Sequence, residues 1–326
     1  MKIGIIVENF GGFPETGRGA RACVDLAKEA ENLGFDSVWV TDHIALPKAH
    51  KSPYPHNSSG EFPYSWEQDI HDPLMLMAAL AQATDRVAIG VSVLVIPYRH
   101  PLTTAKMLAT ADQLSNGRII LGAGVGWLGD EFEALSLPEE YFKRRGAVTV
   151  DYIRAMQAAW TAETWASYSG EFVQYQDMGV RPQPARKPHL PVWIGGKGER
   201  ALRRTVALGD GYLAISADAP TLATETENLR QLAEQEGRDP DSITVAEIGR
   251  IVMRSNASAA SRQSGVDGLW IEGNSQQVLE GLGEFADAGL DHIVAGIGYT
   301  RQTSFSAALE ALQQFSSEVL PEAHKL

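Results

Sequence analysis

Cysteine is nearly absent from this chain. Cys23 stands alone among 326 residues, so neither an intrachain disulfide nor a thiolate metal cluster can form. Its surroundings, ARACVDLAKEAENLG, read as a helix and make it a small buried side chain. No apolar run approaches the roughly 18 residues of a membrane span, so no membrane partner is expected. The opening MKIGIIVENFGG has too short an apolar stretch for a signal peptide and reads as a first strand. Positive charge is scarce: 28 Lys and Arg against 41 Asp and Glu give a net charge of -13 and a pI near 5.1. Such a surface repels a phosphate backbone, so no nucleic-acid partner is expected, and it suits a cytoplasmic protein. Several motifs are missing too. There is no GxGxxG after the first strand, no GxSxG, no GxxxxGK[ST], and no HxH or HExxH pair.

What the chain has is a repeated strand-helix rhythm. Short apolar strands are expected at 3–7, 37–40, 86–96, 118–123, 192–194, 211–215, 243–248 and 292–295. Helices are expected at 19–33, 72–84, 101–114, 139–159, after Gly198 through 208, and at 220–236, 275–288 and 304–318. Gly34 marks a helix end, and Asp72 with Pro73 marks a helix start. Strands this short and continuously apolar are buried on both faces, as in parallel sheets. Eight such units favour an α/β fold of the (β/α)8 TIM-barrel type over an open doubly wound sheet. Nothing in the composition marks a linker, so residues 1–326 read as one domain. Two long insertions belong to the C-terminal face: a polar and aromatic loop at 44–71 and an irregular, proline-rich excursion at 165–190.

In a barrel, ligand-binding groups collect at the C-terminal ends of the strands. His43 is the leading catalytic candidate, because imidazole exchanges a proton near neutral pH. Asp42 beside it faces the opposite way if the strand is regular. Glu8 is a further candidate carboxylate. The loop Gly195, Gly196, Lys197, Gly198 opens a helix, whose free amides suit an anion. The loop 122–131 is glycine-rich and lets a ligand approach the backbone. Arg99 and His100 lie on the active side, within reach of substrate or phosphate. Arg118 lies at the opposite end, where a structural ion pair with Asp112 is expected. The aromatic loop 44–71, with Trp127, Trp165, Phe172 and Tyr175, could wall an apolar ligand. No metal site is expected.

Four stretches together resemble the bacterial luciferase-like monooxygenase superfamily: GFDSVWVTDH at 34–43, IGVSVLVIPYRHP at 89–101, the segment 101–131, and PVWIGG at 191–196 with ALRRTVALGDGYL at 201–213. Within it the chain looks most like the branch of coenzyme F-420-dependent oxidoreductases. The resemblance implies a barrel holding FMN or coenzyme F-420 across its C-terminal mouth, a small-molecule substrate, a homodimer, and a separate flavin or F-420 reductase as partner. It implies either hydride transfer or oxygen insertion. Carried over, His43 is the histidine near the reactive face of the ring. Ser92 and Val93 match the site of a non-prolyl cis peptide. Gly195, Gly196, Lys197 and Gly198 match the phosphate loop. Asp42, Gly124, Val125 and Gly126 complete the expected cofactor-binding set. Luciferase itself has cysteine and arginine where this chain has Gly124 and Val125, which argues against light emission and leaves room for a longer cofactor tail. Two rivals are a metal-dependent barrel hydrolase and a non-catalytic flavin-binding barrel.

Overall fold

Eight parallel strands close into a ring. In this computed structural model, residues 1–55, 57, 59–216, 218–254, 268–298 and 303–326 are described. The first strands are β1 (Lys2–Ile6), β2 (Ser37–Val40), β3 (Ala88–Val95) and β4 (Ile119–Gly124). A β5–β6 hairpin (Ala166–Ser169 and Gln174–Met178) lies outside the ring. The ring continues through β7 (Val192–Gly195), β8 (Gly211–Ala214) and β9 (Thr244–Met253). After β10 (Leu269–Gly273) comes β11 (His292–Ile297). β11 pairs with both β9 and β1, and β8 pairs with β9, so the eight strands close on themselves and the open-sheet alternative falls. The closed parallel ring is the architecture of a (β/α)8 barrel.

Helices α1 (Ala20–Asn32), α2 (Pro73–Ala83) and α3 (Pro101–Ser115) alternate with the first strands. After β4 come α4 (Gly129–Ala134), α5 (Glu139–Lys143) and α6 (Arg145–Thr161). Helices α7 (Glu199–Leu208), α8 (Ala219–Gln235), α9 (Ser275–Asp287), α10 (Phe305–Glu318) and α11 (Leu320–Ala323) complete the set. Their ends follow local chemistry. The Asp72 carboxylate accepts from the amides of Leu74 and Met75 at the start of α2, and Gly34 takes φ 90° beyond α1.

Two apolar layers follow from strand alternation. Outward residues such as Ile3, Ile5, Val38, Val40 and Ile89 pack under the helices. Inward residues, among them Trp39, Ile120, Trp193, Leu213, Ala246 and Val294, fill the barrel. At its floor the Trp39 indole donates to Ser37 Oγ at 2.7 Å, and the Ser37 hydroxyl meets His292 Nε2 at 2.7 Å. Burial drives the His292 ring down to about 4, so the floor is neutral.

Three expectations change. The segment 165–190 is not wholly irregular, since it contains the β5–β6 hairpin. Its strands are mostly exposed, so they lack the apolar signal of a buried strand. β10 was not expected; it pairs with the upper half of β9, where β8 has ended. Arg118 does not pair with Asp112. Its guanidinium donates to the carbonyls of Ala81, Thr84, Val87 and Ser115, while Asp112 accepts from the amides of Ile119 and Arg186.

Candidate active site

Strand alternation sorts the pair at the end of β2. Trp39 faces inward and Val40 outward. Asp42 keeps the outward side and is fully engaged there. Its carboxylate accepts from both terminal nitrogens of Arg99, at 2.7 and 2.9 Å, and from the Val95 amide at 2.9 Å. Arg99 also reaches Asp72 at 3.2 Å, so it is a brace, not the substrate contact expected. His100 accepts from the Leu102 amide and caps α3.

His43 takes the other side. Its Nδ1–H donates to Glu131 Oε2 at 2.6 Å, which leaves Nε2 as the nitrogen for a ligand. Glu131 comes from the first turn of α4 and is 1% exposed. It also accepts from Tyr98 Oη and from the amides of Ile44 and Ala45. Burial pushes the Glu131 carboxyl up, but the bonds from His43, Ile44 and Tyr98 outweigh it and hold the group below its ordinary range. Burial, then the neighbouring Glu131 charge, raises the Tyr98 phenol. Neither Glu131 nor Tyr98 was singled out as a site residue from the sequence. An acid in a helix's first turn is an ordinary dipole partner, and its distant histidine gives no local signal.

Rings surround the imidazole. Phe10, Phe62 and Trp127 have centroids 5.4, 5.1 and 6.0 Å from it. Tyr54 and Tyr64 close on Phe62, and Tyr64 Oη donates to Glu8 at 2.7 Å. Trp127 is the one member of the expected second aromatic group to join them. Phe172 and Tyr175 pack the hairpin against Tyr141 and α6, and Trp165 is 67% exposed. The neck of the 44–71 loop is held twice. Arg99 bridges Asp42 and Asp72, and the Asn9 amide bridges Thr41 and His71.

On the neighbouring strand β3, the Ser92–Val93 peptide is cis and the β3–β4 register slips there. The Ser92 hydroxyl is buried without a hydrogen-bond partner among the described residues. Val93 stands between two glycines. A Cβ on Gly124 would lie 2.2 Å from Val93 Cγ2, and one on Gly195 would lie 2.5 Å from Cγ1. The space at Gly124 therefore belongs to Val93, not to a cofactor tail. Val125 and Gly126 are half-buried at the rim, and Gly126 has φ 80°. Across the loop after β7, Gly196 donates to the Leu213 carbonyl and Gly198 to Glu225 Oε1 at 3.2 Å, while Lys197 is exposed. A propped bulge, an orphaned hydroxyl and an imidazole at the end of the next strand fit a planar heteroaromatic ring with a polar edge. Among the described residues no three His, Cys, Asp or Glu side chains converge as metal ligands.

A family model described as luciferase-like monooxygenase matches residues 1–289. The chain belongs to the luciferase-like monooxygenase family. As a member, it is an oxidoreductase that works with a reduced flavin or deazaflavin. An F-420-dependent glucose-6-phosphate dehydrogenase of Amycolatopsis mediterranei is 28% identical over 348 residues, spanning 94% of this chain and 96% of that one. A solved monooxygenase from Streptomyces bottropensis superposes with a TM-score of 0.77 at 19% identity, covering 100% of both chains. An F-420-dependent secondary alcohol dehydrogenase, in complex with an F-420–acetone adduct, gives 0.76 at 18%, covering 99% of this luciferase-like chain and 98% of that one.

Proposed function

We propose that this chain transfers hydride between a small organic substrate, such as an alcohol or its ketone, and coenzyme F-420. The observation that carries the choice of cofactor is the match to the Amycolatopsis dehydrogenase along nearly the whole of both chains. Structural likeness alone does not choose, because a monooxygenase and an F-420-dependent alcohol dehydrogenase superpose equally well. Coenzyme F-420, when bound, supplies two-electron hydride exchange at a ring carbon.

The residues divide the remaining work. Val93 supports one face of the ring, and Ser92 offers a hydroxyl to its polar edge. Val125 and Gly126 would border it, and the loop Gly195 to Gly198 would hold the phosphate through Lys197, because the Gly196 and Gly198 amides are already bonded to the Leu213 carbonyl and to Glu225. Phe10, Phe62 and Trp127 keep water from the reacting carbon. His43 Nε2 takes the hydroxyl proton as the substrate carbon gives up hydride, and returns it in the reverse direction. Glu131 keeps Nδ1 protonated and stabilises the imidazolium formed. Asp42 acts through Arg99 as a brace.

We also propose a cytoplasmic homodimer served by a separate F-420 reductase.

Titrating the purified protein with reduced F-420 and reduced FMN tests the cofactor. Submicromolar binding of F-420, with FMN much weaker, is expected; the reverse order overturns the reading. His43→Ala should bind F-420 normally and lose about 10²–10⁴ in turnover. Full turnover by that variant removes His43 from the chemistry.

A further inference from the structure

Three arginines gather where α6 packs on α7, and among the described residues no carboxylate pairs with any of them. Arg145 is the first residue of α6, Arg200 the second of α7, and Arg204 lies one turn further along. Gly146 lets the two helices close up: its Cβ would lie 3.4 Å from an Nη of Arg204. The Nε atoms of Arg145 and Arg204 are both buried and, among the described residues, without a hydrogen-bond partner. Arg145 gives one Nη to the Phe142 carbonyl and lies 4.8 Å over the Phe142 ring.

The surrounding acids are spent elsewhere. Glu199 pairs with Arg203, and Glu140 and Glu171 pair with Arg144. Glu225 serves Gly198, Tyr212 and Ser216. Asp151 accepts from Tyr168 and from the amides of Phe172 and Val173. Burial and then the Arg200 charge lower the Arg204 guanidinium from its ordinary value.

Each part of this arrangement is unfavourable as it stands. Like charges four apart on a helix repel. Arg145 and Arg200 occupy first turns, where the helix dipole disfavours cations. Buried guanidinium N–H groups without acceptors carry a desolvation cost. An oxyanion among the three would relieve all of these at once, and guanidinium groups suit carboxylate and phosphate by geometry. In a chain of net charge -13, an uncompensated cationic cluster is out of keeping with the rest of the surface.

Its position narrows the ligand. Arg200 follows Gly198 by two residues, so the cluster begins where the loop after β7 ends. FMN stops at its phosphate, whereas the tail of coenzyme F-420 continues past the phosphate into carboxylates. We propose that Arg145, Arg200 and Arg204 form an oxyanion subsite that takes the carboxylate tail of coenzyme F-420 as it leaves the barrel mouth. The proposal rests on the deazaflavin reading above.

Fluorescence titrations at low salt, with wild type, Arg200→Gln and Arg204→Gln, test it. Arg200 is exposed, so Arg200→Gln keeps the fold even if Arg204→Gln does not. Each substitution should weaken F-420 binding by about tenfold, leave FMN binding unchanged and flatten the salt dependence of F-420 binding. Equal weakening of FMN and F-420 would place the shared phosphate there and overturn the tail assignment. Unchanged F-420 binding in both variants would overturn the subsite and leave the proposed function standing. Failure of the wild type to bind F-420 would instead remove the deazaflavin reading, and this proposal with it.

Discussion

Glu131 holds His43 by its Nδ1 at 2.6 Å, across a sequence separation of 88 residues. The carboxylate is buried and accepts four hydrogen bonds, so the imidazole it orients cannot turn without breaking a network. The bonds from Ile44 and Ala45 tie the same carboxylate to the start of the aromatic loop. One group thus fixes both the proton carrier and the wall beside it.

Glu131→Gln should weaken catalysis and stability together. Loss of the buried charge partner is expected to cost roughly 3 kcal/mol. The Glu131 carboxyl lies below its ordinary value of 4.5 in the folded chain. Its contribution is therefore present above the ordinary carboxylate range and lost as pH falls through the folded value. Melting curves of wild type and variant should converge as pH drops from about 5 toward 3. A gap that stays constant with pH would contradict the charged pairing.

Gly124→Ala should drive Val93 from its place, because the added Cβ would meet Val93 Cγ2 at 2.2 Å. The expected cost is about 1–3 kcal/mol, the usual range for overpacking. Val93→Ala in the same chain should restore much of the melting temperature. Without that rescue, the glycine serves something other than the valine.

Arg99→Ala should leave the Asp42 carboxylate buried and unpaired, at a cost of about 3–5 kcal/mol. Limited proteolysis should then cut first within 44–71. Cleavage elsewhere would show that Arg99 does not hold the loop.

Glu247 gives a pH dependence of opposite sign. Burial raises its carboxyl from 4.5 to about 8, with the Glu225 charge adding to the rise. The folded chain keeps a proton that the unfolded chain has released, so stability falls between pH 4.5 and about 8 and levels off above. Glu247→Gln should match wild type near pH 5 and melt about 5 °C higher near pH 8. Parallel curves would show that Glu247 is ionised in the folded state.

The barrel was legible because its strands are buried on both faces and carry little but apolar residues. His43 was legible because it ends such a strand. What escaped depends on contacts that leave no local pattern. Glu131 resembles any acid at a helix start, and Arg99 any exposed cation, until the fold brings Asp42 and Asp72 to it. Gly124 suggested an open approach for ligand, yet its missing side chain is required by a valine on the next strand. The exposed hairpin strands ASYS and QYQDM lack the buried face that periodicity detects.

The two bridges at the neck of the 44–71 loop also bear on how such a protein diversifies. Arg99 joins Asp42 to Asp72, and Asn9 joins Thr41 to His71, so the segment between leaves and re-enters the barrel through a fixed gate. Changes in length or aromatic content between the two bridges are then expected to leave the strands below in place. The segment is in effect an exchangeable cassette, and a new substrate preference could be grafted onto the same proton carrier by replacing it alone.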